Sequence, residues 1–215
     1  MEAPKHLQNI LQFFLSNPAD DPCSENGESR SVHIDDKTHA ISVTAICPTN
    51  HAIVKYWGKR DSALILPMNS SLSVALDLHD MCTVTTAISL PPRVQGQQQI
   101  HLSVNGVKEA FISDKVNLIL KHLISRATTL LNCQLGVIEG GDFANRDLQI
   151  ISHNTFPTAA GLASSASGMA GLILSVAQLL GVKENFKNEL TTLSRQLSGS
   201  ACRSVFGGFV RWNMG

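Results

Sequence analysis

The stretch Asn154-Thr-Phe-Pro-Thr-Ala-Ala-Gly-Leu-Ala-Ser-Ser-Ala-Ser-Gly-Met-Ala170 governs how the rest of this chain reads. Thr158 to Gly168 is a run of small residues, and an apolar helical pattern emerges from it: Leu162, Met169, Leu172, Ile173, Val176, Leu179 and Leu180. Small residues at a helix N-terminus let backbone N–H groups approach a phosphate closely, with the positive end of the helix dipole behind them. Ser164 and Ser165 add two hydroxyls where a phosphate or its metal ion would sit. The same stretch is also compatible with a helix start built of small residues for packing, with serine as the cap.

Working outward from the loop, Leu148 to Ser152 reads as a short strand entering it, and a helix is expected from about Ala160 to Leu180. Upstream, strands are expected at Ile41–Cys47, Ile53–Trp57, Ser71–Leu76, Met81–Ile88 and Ile100–Val104, the last ended by the hairpin signal Asn105-Gly106. A turn is expected at Pro48–Asn50, and a polar connection over Gln95–Gln99. Asp114 reads as the cap of a helix to about Leu131, with Val116, Leu118, Ile119, Leu120 and Leu123 on its apolar side. Downstream, Asn185–Leu197 reads as another helix, and Gly207-Gly208 precedes a final strand, Phe209–Trp212. Several strands before long helices, without βαβ regularity, predict an α+β fold and not a doubly wound sheet. No internal repeat is present.

Residues 1–40 differ in character. His6–Leu15 carries helical apolar spacing, and Ser16–Thr38 is polar, so the segment is expected to be a poorly ordered extension with a marginal helix. It lacks the basic start and continuous apolar core of a secretory signal, although an organelle (peroxisomal) address is not excluded. Seventeen basic and seventeen acidic side chains cancel, so no net field argues for nucleic acid or an anionic membrane, and an anion site must be built locally. No run of eighteen apolar residues exists, so no transmembrane span is expected. Five widely spaced cysteines without a CxxC pair suggest neither zinc nor a disulfide framework, and a reducing, cytoplasmic setting fits them.

Other nucleotide and hydrolase signatures are missing: no GxxxxGK(S/T), no GxGxxG after a strand, no GxSxG elbow. Two clusters stand out instead. Lys55-Tyr-Trp-Gly-Lys-Arg-Asp61 gathers three cations and the only tyrosine beside a glycine, either a solvated edge-strand end or an anion clamp. Ser198-Gly-Ser-Ala-Cys-Arg-Ser204 sets small hydroxyls next to one arginine, whose fork suits a carboxylate or diphosphate; it also reads as an ordinary helix–strand connection.

Pro157-Thr-Ala-Ala-Gly-Leu-Ala-Ser-Ser-Ala166 resembles the ATP-binding loop of the GHMP kinase superfamily. With the two clusters and Pro67-Met-Asn-Ser-Ser-Leu-Ser-Val74, in matching order and spacing, residues 42–215 resemble the mevalonate diphosphate decarboxylase family. The resemblance implies a GHMP-kinase N-terminal domain (ribosomal protein S5 domain 2-like) over 41–215, a mixed sheet packed against helices. It implies ATP-dependent decarboxylation of mevalonate 5-diphosphate to isopentenyl diphosphate, with Mg²⁺, and a homodimer in full-length relatives. By motif, Asn50, Tyr56, Trp57, Gly58, Lys59, Lys115, Ser198, Gly199, Ser200, Ala201, Cys202 and Arg203 would bind substrate. Thr158, Ala160, Gly161, Leu162, Ala163, Ser164 and Ser165 would wrap the ATP phosphates, Ser165 also meeting Mg²⁺. Lys55, Ser165 and Arg203 would serve catalysis, Arg203 by orienting the departing carboxylate.

Four departures accompany the resemblance. Lys115 stands where the family usually has a substrate-binding arginine, His51 where it has an apolar residue, and Leu197 where it has a glycine. The second half of the family, with an Asp-Ala-Gly-Pro-type motif bearing the proposed catalytic aspartate, has no counterpart in these residues, so the C-terminal domain is expected to be absent and the chain inactive alone. Another GHMP small-molecule kinase, or a non-catalytic nucleotide-binding or dimerising fragment, are the alternative readings.

Overall fold

The computed structural model describes residues 31–35, 40–91, 97–108, 112–134, 143–157, 164–182 and 189–214. The strands are β1 (Ser31–Asp35), β2 (Ala40–Pro48), β3 (Asn50–Val54), β4 (Lys59–Asp61), β5 (Leu66–Pro67), β6 (Ser71–Ala75), β7 (Cys82–Leu90), β8 (Ile100–Val104), β9 (Val107–Lys108), β10 (Asp147–Asn154) and β11 (Phe209–Trp212). The helices are α1 (Asp114–Gln134), α2 (Ser164–Leu179), α3 (Glu189–Leu197) and α4 (Ala201–Ser204), with a 3₁₀ turn at Phe143–Asn145. A six-stranded sheet runs β1-β2-β7-β10-β8-β9, a three-stranded sheet runs β11-β6-β3, and β4 pairs with β5. The large sheet is antiparallel except where β10 lies parallel beside β8, with α1 in the connection between them. This is the α+β architecture that the strand and helix pattern predicts, with the mixed sheet packed against helices that the resemblance implies.

α2 is the centre of the molecule. It packs on β2 and β7 on one side and on α3 and α4 on the other, so a helix of small and apolar residues is what this position requires. Ile173, Val176, Ala170 and Ala177 are fully buried in it, against Val43, Ala87, Leu148 and Ile150 of the sheet and Leu120 and Leu123 of α1. Beneath its first turns the sheet is polar, yet satisfied. Thr83 Oγ1 donates to Asn154 Oδ1 (2.9 Å) and also lies 2.7 Å from Ser167 Oγ, and Thr85 Oγ1 pairs with Ser152 Oγ at 2.9 Å. One hydroxyl therefore ties the strand entering the small-residue loop to the helix leaving it.

Several local expectations shift. β3 begins at Asn50 and ends at Val54, so Lys55, Tyr56 and Trp57 lie beyond the strand; Thr49 alone interrupts the chain between β2 and β3. Asn69 explains the early end, because its side chain takes the Trp57 N–H (2.8 Å) and donates to Lys55 O (3.1 Å), hydrogen bonds a ladder would otherwise use. The cap of α1 is Ser113, whose Oγ accepts from Val116 N at 3.4 Å, and not Asp114. Leu118 is exposed, off the apolar side that Val116, Ile119, Leu120 and Leu123 form. Ser31–Asp35, inside the expected polar extension, pairs antiparallel with β2 as an edge strand. The expected helix at His6–Leu15, residues 95–96 of the polar connection, the first turn of the Ala160 helix and residues 185–188 lie outside the described residues.

The closest helix-to-sheet approach is at Gly171, where an added Cβ would meet Thr85 Oγ1 at 2.6 Å. Gly171→Ala is expected to destabilise by about 1–3 kcal/mol through overpacking. Gly168→Ala, one turn earlier with nothing within 4 Å of its Cβ, should stabilise by about 0.5–1 kcal/mol. Urea unfolding of both variants checks this, and equal effects would contradict it.

Candidate active site

Three segments far apart in sequence meet where α4 approaches the small sheet. Ser198 and Ser200 close the turn after α3, α4 follows at once, and its Arg203 is only 3% exposed. Arg203 Nη1 donates to Ser71 Oγ at 2.7 Å, and Nε donates to Asn50 Oδ1 at 3.3 Å. Asn50 Nδ2 donates to Ser204 Oγ (2.7 Å) and to Ser200 O (3.2 Å). Ser71 Oγ donates its own proton to Val54 O at 2.7 Å. The guanidinium also lies 6.0 Å from the Tyr56 ring centroid and 5.8 Å from that of Trp212, and the two rings contact edge-on at 4.8 Å. Among the described residues no carboxylate pairs with Arg203. Burial pushes its pKa below the ordinary arginine value. A buried cation without an acidic partner is costly in an apo fold; the rings and neutral oxygens only partly offset it.

Gly199 brings the turn against this cluster. A Cβ there would lie 2.9 Å from Tyr56 Oη and 3.3 Å from Ile65, so any larger residue would displace the tyrosine. On the other side of the turn, Ser198 Oγ lies 3.5 Å from Ser165 Oγ in the exposed first turn of α2. The tyrosine cluster, the Ser198–Ser204 segment and the start of α2 are therefore one surface. Lys55, Trp57, Gly58 and Lys59 are exposed on the loop that Asn69 anchors, with Trp57 73% exposed. Ala201 and Cys202 are buried beneath the turn, Cys202 Sγ donating to Gly199 O at 3.3 Å.

Lys115 sits in the exposed first turn of α1, and no hydrogen bond or ion pair joins it to this cluster among the described residues. His51 is exposed on β3, and Leu197 packs its side chain onto the core at the end of α3. Thr158, Ala160, Gly161, Leu162 and Ala163 lie outside the described residues. Sequence reasoning missed Ser71, Asn69, Ser204 and Trp212. The segment Pro67–Val74 is singled out by its resemblance, but nothing in it says which serine meets Arg203; Trp212 reads only as a strand residue.

With the geometry in place, comparison decides the family. The diphosphomevalonate decarboxylase-like N-terminal domain matches residues 47–215. The chain belongs to this family. It is 42% identical over 181 residues to the diphosphomevalonate decarboxylase of Gibberella zeae, covering 84% of this chain and 45% of the relative. The human diphosphomevalonate decarboxylase is 39% identical over 174 residues, covering 81% and 41%. A crystal structure of mevalonate 5-diphosphate decarboxylase superposes with a TM-score of 0.69 at 37% identity, over 81% of this chain and 42% of that one. MDDEF in complex with MVAPP, AMPPCP and magnesium superposes at 0.62 and 37% identity, over 82% and 47%. The chain thus spans less than half the length of these decarboxylases.

Burial pushes the Cys202 thiol up to about 11 and the Cys82 thiol also to about 11, both above the ordinary thiol value. A proton held more tightly folded than unfolded means the unfolded chain loses it first as pH rises. Stability from these groups is therefore fully present below about pH 9 and falls between roughly 9 and 11. Burial pushes the Cys47 thiol up as well, so urea unfolding at pH 8 and pH 10.5 should show the loss, and replacing Cys47, Cys82 and Cys202 together by alanine should flatten it while replacing Cys82 and Cys202 alone leaves part of it.

Proposed function

We propose that residues 41–215 form the ATP-binding domain of a decarboxylase that converts mevalonate 5-diphosphate to isopentenyl diphosphate. The observation that supports it is the buried, carboxylate-free Arg203 placed one turn from the Ser198–Ser165 contact. A guanidinium in that state fits a substrate carboxylate, and the adjoining helix N-terminus fits a phosphate. The sixteen-residue α2, with Ser164 and Ser165 in its first turn, meets the requirement for a triphosphate. Ser165 is exposed and its Oγ meets only Ser198 Oγ among the described residues, at 3.5 Å, so it is open to phosphate or Mg²⁺. No cluster of three carboxylate, histidine or thiol ligands lies among the described residues. Mg²⁺ would therefore be met here by Ser165 and by the nucleotide's own oxygens, supplying charge neutralisation between phosphates.

In this reading Lys55, Tyr56, Trp57, Gly58 and Lys59 hold the substrate diphosphate together with the Ser198–Ser200 turn, two lysines acting as point charges and the tyrosine hydroxyl fixing one oxygen. Arg203 holds the carboxylate. Its Nε is committed to Asn50 and one Nη to Ser71, which fixes the guanidinium plane and leaves the other edge for the ligand. Phosphorylation of the tertiary hydroxyl makes it a leaving group. The bond to the carboxylate then breaks, and its electron pair forms the double bond as phosphate departs. Ser165 stands at the phosphoryl end and Lys55 beside the reacting carbon chain. A single arginine that binds the carboxylate without neutralising it by protonation keeps carbon dioxide the natural product. The three buried, free thiols Cys47, Cys82 and Cys202 suit a reducing cytoplasmic setting, and assembly as a homodimer follows the implied habit of the relatives.

The 215-residue polypeptide is expected to bind ATP with Mg²⁺ and mevalonate 5-diphosphate in calorimetric titrations. Arg203→Gln should weaken mevalonate 5-diphosphate by about 1.5–3 kcal/mol, the range for hydrogen bonds to charged groups. Assayed by itself, the 215-residue polypeptide, which spans less than half the length of these relatives, should release carbon dioxide at least ~10²-fold more slowly than a full-length relative. Absence of binding to either ligand would sink the reading, whereas a turnover equal to that of the relative would overturn only the expected loss of rate.

A further inference from the structure

Trp212 and Ser71 are register partners across the β11–β6 pair, so their side chains share the inner face of the small sheet. Both reach the same group: Ser71 Oγ accepts from Arg203 Nη1, and the Trp212 ring lies 5.8 Å from the guanidinium carbon. Trp212 is 6% exposed, while Phe209, Arg211, Asn213 and Met214 around it are exposed. The chain buries one residue of this strand and places it on the cation. Its indole Nε1–H, moreover, is buried with no acceptor among the described residues. An orphaned donor costs about 1–3 kcal/mol. A hydrogen bond therefore does not account for the indole at this position, whereas its face, laid against the cation, does. Tryptophan offers the most electron-rich face of any side chain to a cation.

We infer that Trp212 is a positioning residue for the site: its ring holds the Arg203 guanidinium charged, desolvated and coplanar with the Asn50 and Ser71 bonds before any carboxylate arrives. It touches no reacting atom. It acts through Arg203, together with Tyr56, which contacts its edge and the same cation. The orientation would otherwise rest on two hydrogen bonds to neutral oxygens, one of them 3.3 Å long. Because the preorganised cation serves a carboxylate, the consequence for ligands rests on the proposed function; the arrangement of Arg203 itself does not.

The test uses the full 215-residue chain in a Trp57→Phe background, which leaves Trp212 as its single tryptophan. Tryptophan is replaced biosynthetically by 5-fluorotryptophan and 5,7-difluorotryptophan, which keep the shape and progressively weaken the ring's negative face. Trp212→Leu completes the series. Two probes share a diphosphate and differ in the carboxylate: mevalonate 5-diphosphate and isopentenyl diphosphate. The Kd of mevalonate 5-diphosphate should rise stepwise, to about tenfold at the end of the series, as expected for a partly desolvated cation–π contact. The Kd of isopentenyl diphosphate and the unfolding midpoint of the fluorinated forms should stay within about twofold and within error. Parallel weakening of both probes would mean that the ring only supports the fold and would overturn the inference. The Nε–H resonance of Arg203, assigned by its loss in Arg203→Lys, supplies a readout that needs no ligand. It should be protected from exchange and should shift with each fluorine. If that resonance is indifferent to the ring, the inference falls whatever the ligands do. If it responds while neither diphosphate's Kd changes, Trp212 positions Arg203 and it is the proposed substrate that is wrong.

Discussion

Everything near the site depends on one constraint, the burial of a guanidinium that has no acidic partner among the described residues. Arg203 sits at 3% exposure among Asn50, Ser71, Tyr56 and Trp212. A carboxylate from the chain itself would stabilise the charge; under the proposed function it would also fill the position of the substrate carboxylate. Neutral oxygens and ring faces hold the cation without satisfying it. Part of the folding free energy is thereby withheld from the apo state and becomes available on binding, which is how preorganised electrostatic sites work.

That arrangement needs a rigid frame, and α2 supplies it. The helix is sandwiched between the six-stranded sheet and α3 and α4, and Gly171 lets it lie directly on Thr85. α4 packs on α2 and also contacts β11 and β6. The element that opens at Ser164 and Ser165 is thus the element against which Arg203's helix is braced. Thr83 adds a fixed point, since it contacts both Asn154 and Ser167 and so spaces the two stems of the small-residue loop. The first turn of α2 and Arg203 are held at a set separation by packing, not by a flexible connection. The short helix α4 illustrates the point from the other side: Ser200 makes no capping bond with its side chain, and four residues would not be helical alone. Tertiary packing makes it a helix, and with it Arg203 is placed.

Much of the fold was legible because periodicity carries it. β7, β8, β10, β11 and the apolar side of α1 follow from alternation or 3.6-residue spacing, with ends that shift by a residue or two. The Asn105-Gly106 turn appears as read, with positive φ at both residues. Where reading failed, a side chain competed with the backbone. Asn69 ends β3 early by taking the hydrogen bonds of Lys55 and Trp57, and Ser113 displaces Asp114 as the cap of α1. No periodicity encodes a contact between residues so far apart along the chain. β1 was missed for another reason: its Val32–Ile34 alternation is only five residues long and lies in a polar stretch, and its pairing with β2 defines it.

The site was legible as three motifs but not as one geometry. Sequence placed Asn50 among groups facing substrate, yet both of its amide protons go to Ser200 and Ser204 and its oxygen goes to Arg203. With no proton left to donate, its effect on a ligand must pass through the arginine and the turn. Ala201 and Cys202 are contiguous with the clamp and buried beneath it, and the same argument extends to the residues around the arginine. It promotes Ser71 and Trp212, which no motif reading of chemistry would select, because hydroxyl and indole matter here only through what they hold. A motif records which residues recur together. Hydrogen-bond saturation separates Asn50, whose amide protons are both engaged, from Ser165, Lys55 and Lys59, which are exposed.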